Sequence, residues 1–226
     1  MSPIPWLLID FDSTFVTVES LELLAEISLR AGFDADERAT RIERIRDLTR
    51  RAMGGHLSFP EALERRFDLL EPRLEQLPEL INRLKLRISP SFRRHANFIR
   101  KHAGRIYIIS AGFHEYITPV VQDYGIAPGH VLANRLVTRP DGALGFDPAC
   151  PLAQDGGKIV AVRNLHLEGT TIALGDGISD LELQLDGACD VFFAYTETVD
   201  RPEVSSRASH RAESLDAVIE FIKELE

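Results

Sequence analysis

Four short apolar runs stop abruptly at polar or glycine residues: Pro5–Ile9, Arg105–Ile109, Thr171–Leu174 and Asp190–Ala194. Between and after them lie segments whose apolar residues recur with helical period: Ser91–His102, His114–Tyr124 closed by Gly125, Lys158–Leu167 closed by Gly169, and Leu215–Leu225. Unbroken apolar runs suit strands covered on both faces, and their alternation with helices is the pattern of a parallel sheet with crossover connections. The expected class is α/β, with a Rossmann-like parallel sheet core.

From Ser20 to Ile88 the alternation fails, because helix follows helix with no strand between. Ile42, Ile45, Leu48 and Ala52 fall on one face of an arginine-rich helix, and Ala62, Leu63, Arg66, Phe67 and Leu70 mark a second. Ser58-Phe59-Pro60-Glu61 reads as the start of that second helix, with Ser58 capping and Glu61 reaching back in a capping box. The pattern predicts a helical cap, residues 16–88, inserted after the first strand of a core made of residues 1–15 and 89–226. Val131–Gly145, with the turn Arg139-Pro140-Asp141-Gly142, predicts a strand or hairpin.

Composition narrows the partners. The 226 residues are 44% hydrophobic and 27% charged, which is the balance of a compact globular chain. A net charge of −9 repels polyanions, so no nucleic-acid partner is expected. The basic stretch Arg38–Arg51 is interrupted by Glu37, Glu43 and Asp47 and reads as a solvated, salt-bridged face. Cys150 and Cys189 form neither a disulfide framework nor a zinc spacing, and the seven histidines are scattered. Trp6-Leu7-Leu8-Ile9 is too short for a signal-peptide core and no stretch is long enough to span a bilayer, so no membrane partner and a cytoplasmic location are expected.

Chemistry concentrates where the predicted strands end. Asp10-Phe11-Asp12-Ser13-Thr14 follows the first and Gly175-Asp176-Gly177-Ile178-Ser179-Asp180 follows the third, and ligands of open α/β sheets bind beyond those carboxyl ends. Taken singly, the first is a common Asx turn and the second a glycine-rich helix start. Together they gather four carboxylates, an arrangement that calls for a cation, and oxygen-only ligation selects a hard one such as magnesium. Ser110-Ala111-Gly112 and Gly156-Gly157-Lys158 add a hydroxyl, an amide and an ammonium suited to a phosphate dianion. Gly157-Lys158 is not a nucleotide phosphate loop, since Leu152 and Ile159 stand where that motif requires glycine and a hydroxyl.

In this order, Asp-x-Asp-Ser-Thr, Ser, Lys and Gly-Asp-x-x-x-Asp resemble the haloacid dehalogenase superfamily of phosphohydrolases. The resemblance implies Asp10 as a nucleophile that becomes phosphorylated and Asp12 as general acid and base. It implies Mg²⁺ held by the Asp10 carboxylate, the Asp12 backbone carbonyl and Asp176, with Asp180 behind them. Ser110, the Ala111 amide and Lys158 would then hold the phosphate oxygens.

Within the superfamily the closest resemblance is to the phosphoserine phosphatases. It implies Glu19 for a substrate ammonium, Arg66 for its carboxylate, Met53 and Phe59 as apolar closure, and Ser179 beside the substrate. The implied partner is a small phosphomonoester, O-phosphoserine, handled by a monomer or homodimer. Two residues depart from that pattern: Ala111 stands in place of glycine, and Ser179 in place of asparagine or threonine. The alternatives are a phosphatase or phosphotransferase for another small phosphomonoester, and a binding module that keeps the fold without catalysis.

Overall fold

The computed structural model describes residues 4–30, 33–53 and 56–225. Its strands are β1 (Trp6–Ile9), β2 (Ile106–Phe113), β3 (Val131–Asn134), β4 (Leu136–Thr138), β5 (Leu144–Phe146), β6 (Thr171–Gly175), β7 (Val191–Tyr195) and β8 (His210–Ala212). Six of them form one sheet in the order β3-β2-β1-β6-β7-β8, with every neighbouring pair parallel. β4 and β5 form a separate antiparallel hairpin.

Side chains alternate across the strands and feed two cores. Leu7 and Ile9 of β1, Ile172 and Leu174 of β6, and Phe193 and Tyr195 of β7 enter one cluster. Leu8, Ala173, Phe192 and Ala194 enter the other. Both faces are therefore apolar, and the central strands read as continuous hydrophobic runs for that reason.

Helices α1 (Ser20–Ser28), α2 (Ala35–Met53), α3 (Phe59–Leu70) and α4 (Leu77–Lys85) follow β1, and α5 (Pro90–Arg94) and α6 (Ala96–His102) lead into β2. The chain entering and the chain leaving the first four are paired: Val16 bridges Ile88, and the Thr17 amide donates to the Arg87 carbonyl at 2.7 Å. Leu24, Ile45, Leu63, Phe67 and Leu80 from these helices join the same core cluster as Leu7 and Ile9. The outer face of α2 is ion-paired, as the charge pattern predicts, with Arg41 on Glu37 and Arg50 on Glu43 and Asp47. No helix among the described residues is long and apolar enough to cross a membrane.

The remaining helices are α7 (His114–Val121), α8 (Gly157–Arg163), α9 (Ile178–Leu185), α10 (Pro202–Ser205) and α11 (Leu215–Glu224). From β1 the chain winds through β2 to β3 on one side, and from β6 through β7 to β8 on the other. The direction reverses between β1 and β6, and that crevice is the ligand position of open α/β sheets.

Several expected boundaries move. Ser91–His102 is not one helix: His95 leaves helical geometry at φ −97°, ψ 22°, and its ring bonds Asp216 at 2.7 Å. The helix expected over Lys158–Leu167 ends at Arg163, and His166 turns left-handed at φ +47°. β2 runs on through Ser110 to Phe113, four residues past the expected end. Val131–Gly145 supplies both an edge strand, β3, and a hairpin. β8 was not predicted, because a three-residue strand with one buried side chain has no apolar run to show.

The capping box at Ser58 does not form. Ser58 makes no side-chain cap, Glu61 pairs with Arg65, and the Phe59 amide donates instead to Asp155 Oδ1 at 2.9 Å. A carboxylate from the loop before α8 thus caps α3 across the cavity, supplying the acceptor that an exposed helix N-terminus needs.

Candidate active site

The reversal point places Asp10 and Asp176 side by side. Ile9 of β1 pairs with Leu174 of β6, and the Asp10 amide donates to the Leu174 carbonyl at 2.9 Å, so both strands deliver an aspartate at the same level. Asp180 joins them by folding back over Gly175, where a Cβ would lie 2.2 Å from its carboxyl carbon. Only glycine permits that approach. Its Oδ2 accepts the Gly177 amide at 3.1 Å. Asp10, Asp176 and Asp180 are all buried, and one carboxylate oxygen of each lies within 4.8 Å of the others.

Cations from the first turn of α8 and from the loop after β7 offset this charge. Lys158 Nζ, 7% exposed, donates to Asp10 Oδ1 at 2.7 Å and Asp180 Oδ1 at 2.6 Å. Burial works against the ammonium, but the two aspartates outweigh it and hold its pKa above the usual lysine value. Arg201 Nε donates to Asp176 Oδ2 at 2.7 Å, and Thr14 Oγ1 donates to Asp176 Oδ1 at 3.3 Å. Burial still pushes Asp176 up to about 7, with Glu19 and Asp10 adding to the rise and Arg201 opposing it. Asp180 is likewise pushed up to about 7, by burial first, against the pull of Lys158.

Asp12 faces different partners. Its Oδ1 accepts the Ser20 amide at 3.1 Å and its Oδ2 the Ser20 hydroxyl at 2.8 Å. Its pKa stands well above the usual carboxylate value, and burial contributes more than the charges of Glu19 and Asp10. Desolvation, more than neighbouring charge, is therefore the cause of the rise.

The phosphate-type donors stand at the same level. Ser110 Oγ accepts the Gly112 amide at 2.9 Å, which leaves its own proton free for a ligand. Asn134 Nδ2 donates to the carbonyls of Ala111 at 2.8 Å and Leu152 at 3.1 Å, tying the Ser110 strand to the segment that leads to Lys158.

Asp10, Asp12, Glu19, Phe59, Arg66, Ser110, Ala111, Lys158, Asp176, Ser179 and Asp180 all line one cavity of ≈ 640 Å³. Met53 closes α2, and its side chain lies outside the described residues. Arg66 is 6% exposed, and its Nε donates to the Ala62 carbonyl at 3.1 Å, with the guanidinium 5.7 Å from the centre of the Phe59 ring. Burial lowers its pKa, and among the described residues no carboxylate forms a salt bridge with it. Glu19 Oε1 accepts the Ser13 hydroxyl at 2.7 Å and lies 3.5 Å from Arg201.

The sequence profile of haloacid dehalogenase-like hydrolases matches residues 7–184. The chain belongs to that family. Phosphoserine phosphatase of Homo sapiens is 31% identical over 207 residues, covering 88% of this chain and 84% of the human one. The chloroplastic phosphoserine phosphatase of Arabidopsis thaliana is 34% identical over 203 residues, covering 88% of this chain, which spans 65% of that relative's length. The crystal structure of a phosphoserine phosphohydrolase-like protein from Francisella tularensis superimposes with a TM-score of 0.84 at 25% identity, over 97% of this chain and all of that one.

Three residues of this haloacid dehalogenase-like hydrolase stand outside the expected set: Arg201 on Asp176, Ser20 on Asp12, and Tyr116, whose hydroxyl lies 2.7 Å from Ser20 Oγ. Arg201 follows the end of β7, and the rule that ligands gather at strand carboxyl ends, applied to that strand too, selects its loop. Ser20 and Tyr116 carried no signal, since a helix-start serine and a core tyrosine are ordinary in themselves. His56, an exposed residue, also stands at the cavity wall.

Proposed function

We propose that this hydrolase is a magnesium-dependent phosphomonoesterase whose substrate is O-phosphoserine and whose nucleophile is Asp10. The observation that carries the reading is the meeting of Asp10, Asp176 and Asp180, with oxygens within 4.8 Å, at a cavity floor that also holds Lys158 and Ser110. Residues 1–15 and 89–226 would act as the catalytic core and residues 16–88 as the cap.

The donor set fits magnesium: it is buried, made of oxygens alone and rich in negative charge that burial makes costly. The Asp10 carboxylate, the Asp12 backbone carbonyl and Asp176 would hold the ion, with Asp180 behind. When bound there, it supplies charge neutralisation that lets a phosphate dianion approach the carboxylates.

In the proposed reaction an Asp10 oxygen attacks phosphorus as the ester P–O bond breaks, and Asp12 gives its proton to the departing serine oxygen. The Ser110 hydroxyl, the Ala111 amide and Lys158 hold the equatorial oxygens, because phosphoryl transfer depends on positioning and charge stabilisation. Asp12, now a carboxylate, takes a proton from water, which attacks the phosphoryl group and frees Asp10.

Arg66 supports the choice of substrate. A buried guanidinium that forms no salt bridge among the described residues is costly, and a substrate carboxylate would relieve that cost with a bidentate contact. Glu19 on the same cavity suits the ammonium.

The test is phosphate release from O-phosphoserine against sugar, nucleotide and amino-alcohol phosphates with Mg²⁺, with and without homoserine as acceptor. Preference for O-phosphoserine, unaffected by homoserine, is expected. Preference for a sugar phosphate overturns the roles of Glu19 and Arg66, and phosphohomoserine formation makes the enzyme a transferase.

A further inference from the structure

Asp12 is held by a chain of hydroxyls that the proposed chemistry has not yet used. Both of its oxygens accept bonds from Ser20, the first residue of α1. Ser20 Oγ in turn lies 2.7 Å from the hydroxyl of Tyr116, on the first turn of α7. Both residues are 0% exposed.

The proton order follows from the donor inventory. A serine hydroxyl has one proton, so when Asp12 is the carboxylate Ser20 gives that proton to its Oδ2, and across the 2.7 Å contact Tyr116 donates to Ser20. The chain runs Tyr116 to Ser20 to Asp12. Tyr116 is fixed in turn: its ring lies 6.0 Å from that of Phe113, and a Cβ on Gly112 would come within 2.9 Å of its hydroxyl. Capping of α1 explains only the amide bond to Asp12 Oδ1. The second and third bonds set the direction of the carboxyl group, and they draw on three separate segments of the chain.

We propose that Ser20 and Tyr116 are positioning residues that hold the Asp12 carboxyl in the orientation from which it protonates the departing alcohol. This rests on the reading of Asp12 as the general acid. It has a consequence that a purely structural role lacks: the two hydroxyls matter only when the leaving group needs a proton. Serine must leave as the alcohol, whereas p-nitrophenolate leaves without a proton.

The experiment compares kcat/KM for O-phosphoserine and p-nitrophenyl phosphate in Ser20→Ala, Tyr116→Phe and Asp12→Asn with Mg²⁺ present. This ratio stops at departure of the alcohol, so the later hydrolysis of the phosphoenzyme does not enter. One lost hydrogen bond predicts a fall of about three- to tenfold for O-phosphoserine in each hydroxyl variant, with the p-nitrophenyl ester changed less than about twofold. Tyr116→Phe removes one oxygen only, so a stable fold is expected, and unfolding midpoints check it. Equal loss on both esters, or no loss on O-phosphoserine, overturns the positioning role. Asp12→Asn separates the failures: if it discriminates the esters while the hydroxyl variants do not, the positioning role alone falls. If it loses both esters equally, the acid assignment falls and this proposal with it.

Discussion

Removing divalent metal from this protein should make its stability fall as pH rises from about 5 to 8. Asp176 and Asp180 have folded pKa values pushed from the ordinary 3.8 up to about 7, chiefly by burial. A carboxyl raised in the folded state binds its proton more tightly folded than unfolded. Its contribution to stability is therefore complete below about pH 4 and lost as pH passes through about 7. One such rise corresponds to about 4 kcal/mol. The two groups share one cluster and one lysine, so their effects do not add. Part of this is already lost by pH 5, so the roughly 2.5 kcal/mol lost between pH 5 and 8 shifts the unfolding midpoint of a chain of this length by about 5–10 °C. Asp12 and Glu19 are raised as well and act with the same sign. The assay is thermal unfolding across pH 5–8, in EDTA and in Mg²⁺. A falling midpoint in EDTA, recovered by Mg²⁺ most strongly at pH 8, is expected, and Asp176→Asn should flatten the EDTA curve. A midpoint in EDTA that is level or rises over this range would refute the reasoning, because the carboxylates would then not be held together at a cost.

Arg66→Met should lower kcat/KM for O-phosphoserine by about 10- to 100-fold, the worth of charge-assisted hydrogen bonds, and leave O-phosphoethanolamine, which has no carboxylate, within about threefold. Arg201→Ala removes a cation 2.7 Å from Asp176; calorimetry should show Mg²⁺ bound several-fold more tightly, by about tenfold at most, and weaker binding would contradict the contact's competing role. Asp155→Ala removes the cap of α3 and should cost about 1 kcal/mol, read as a lower unfolding midpoint, with no change for Ser58→Ala.

The sheet was legible because its central strands are buried on both faces and therefore unbroken in the sequence. Leu7, Leu8 and Ile9 needed no partner to be read. The carboxylates at Asp10 and Asp176 were legible for a related reason, since strand ends are where this fold opens. What the sequence withheld was pairwise. Asp155 capping α3 and Arg201 on Asp176 are contacts across 96 and 25 positions of sequence, and neither residue type predicts its partner. His95, which divides an expected helix, carries no breaker signal either; its bond to Asp216 is tertiary. The short β8 and the early end of α8 show the same limit, as packing overrides a local pattern that is weak over three to seven residues.

The central claim is a covalent phosphoenzyme on Asp10. Rapid acid quench of the Mg²⁺-loaded enzyme turning over phosphate-labelled O-phosphoserine tests it most directly. The account predicts a hydroxylamine-labile label on the peptide that contains Asp10, and none in Asp10→Asn despite an unchanged fold. Label on another residue, or steady turnover by Asp10→Asn, would contradict it.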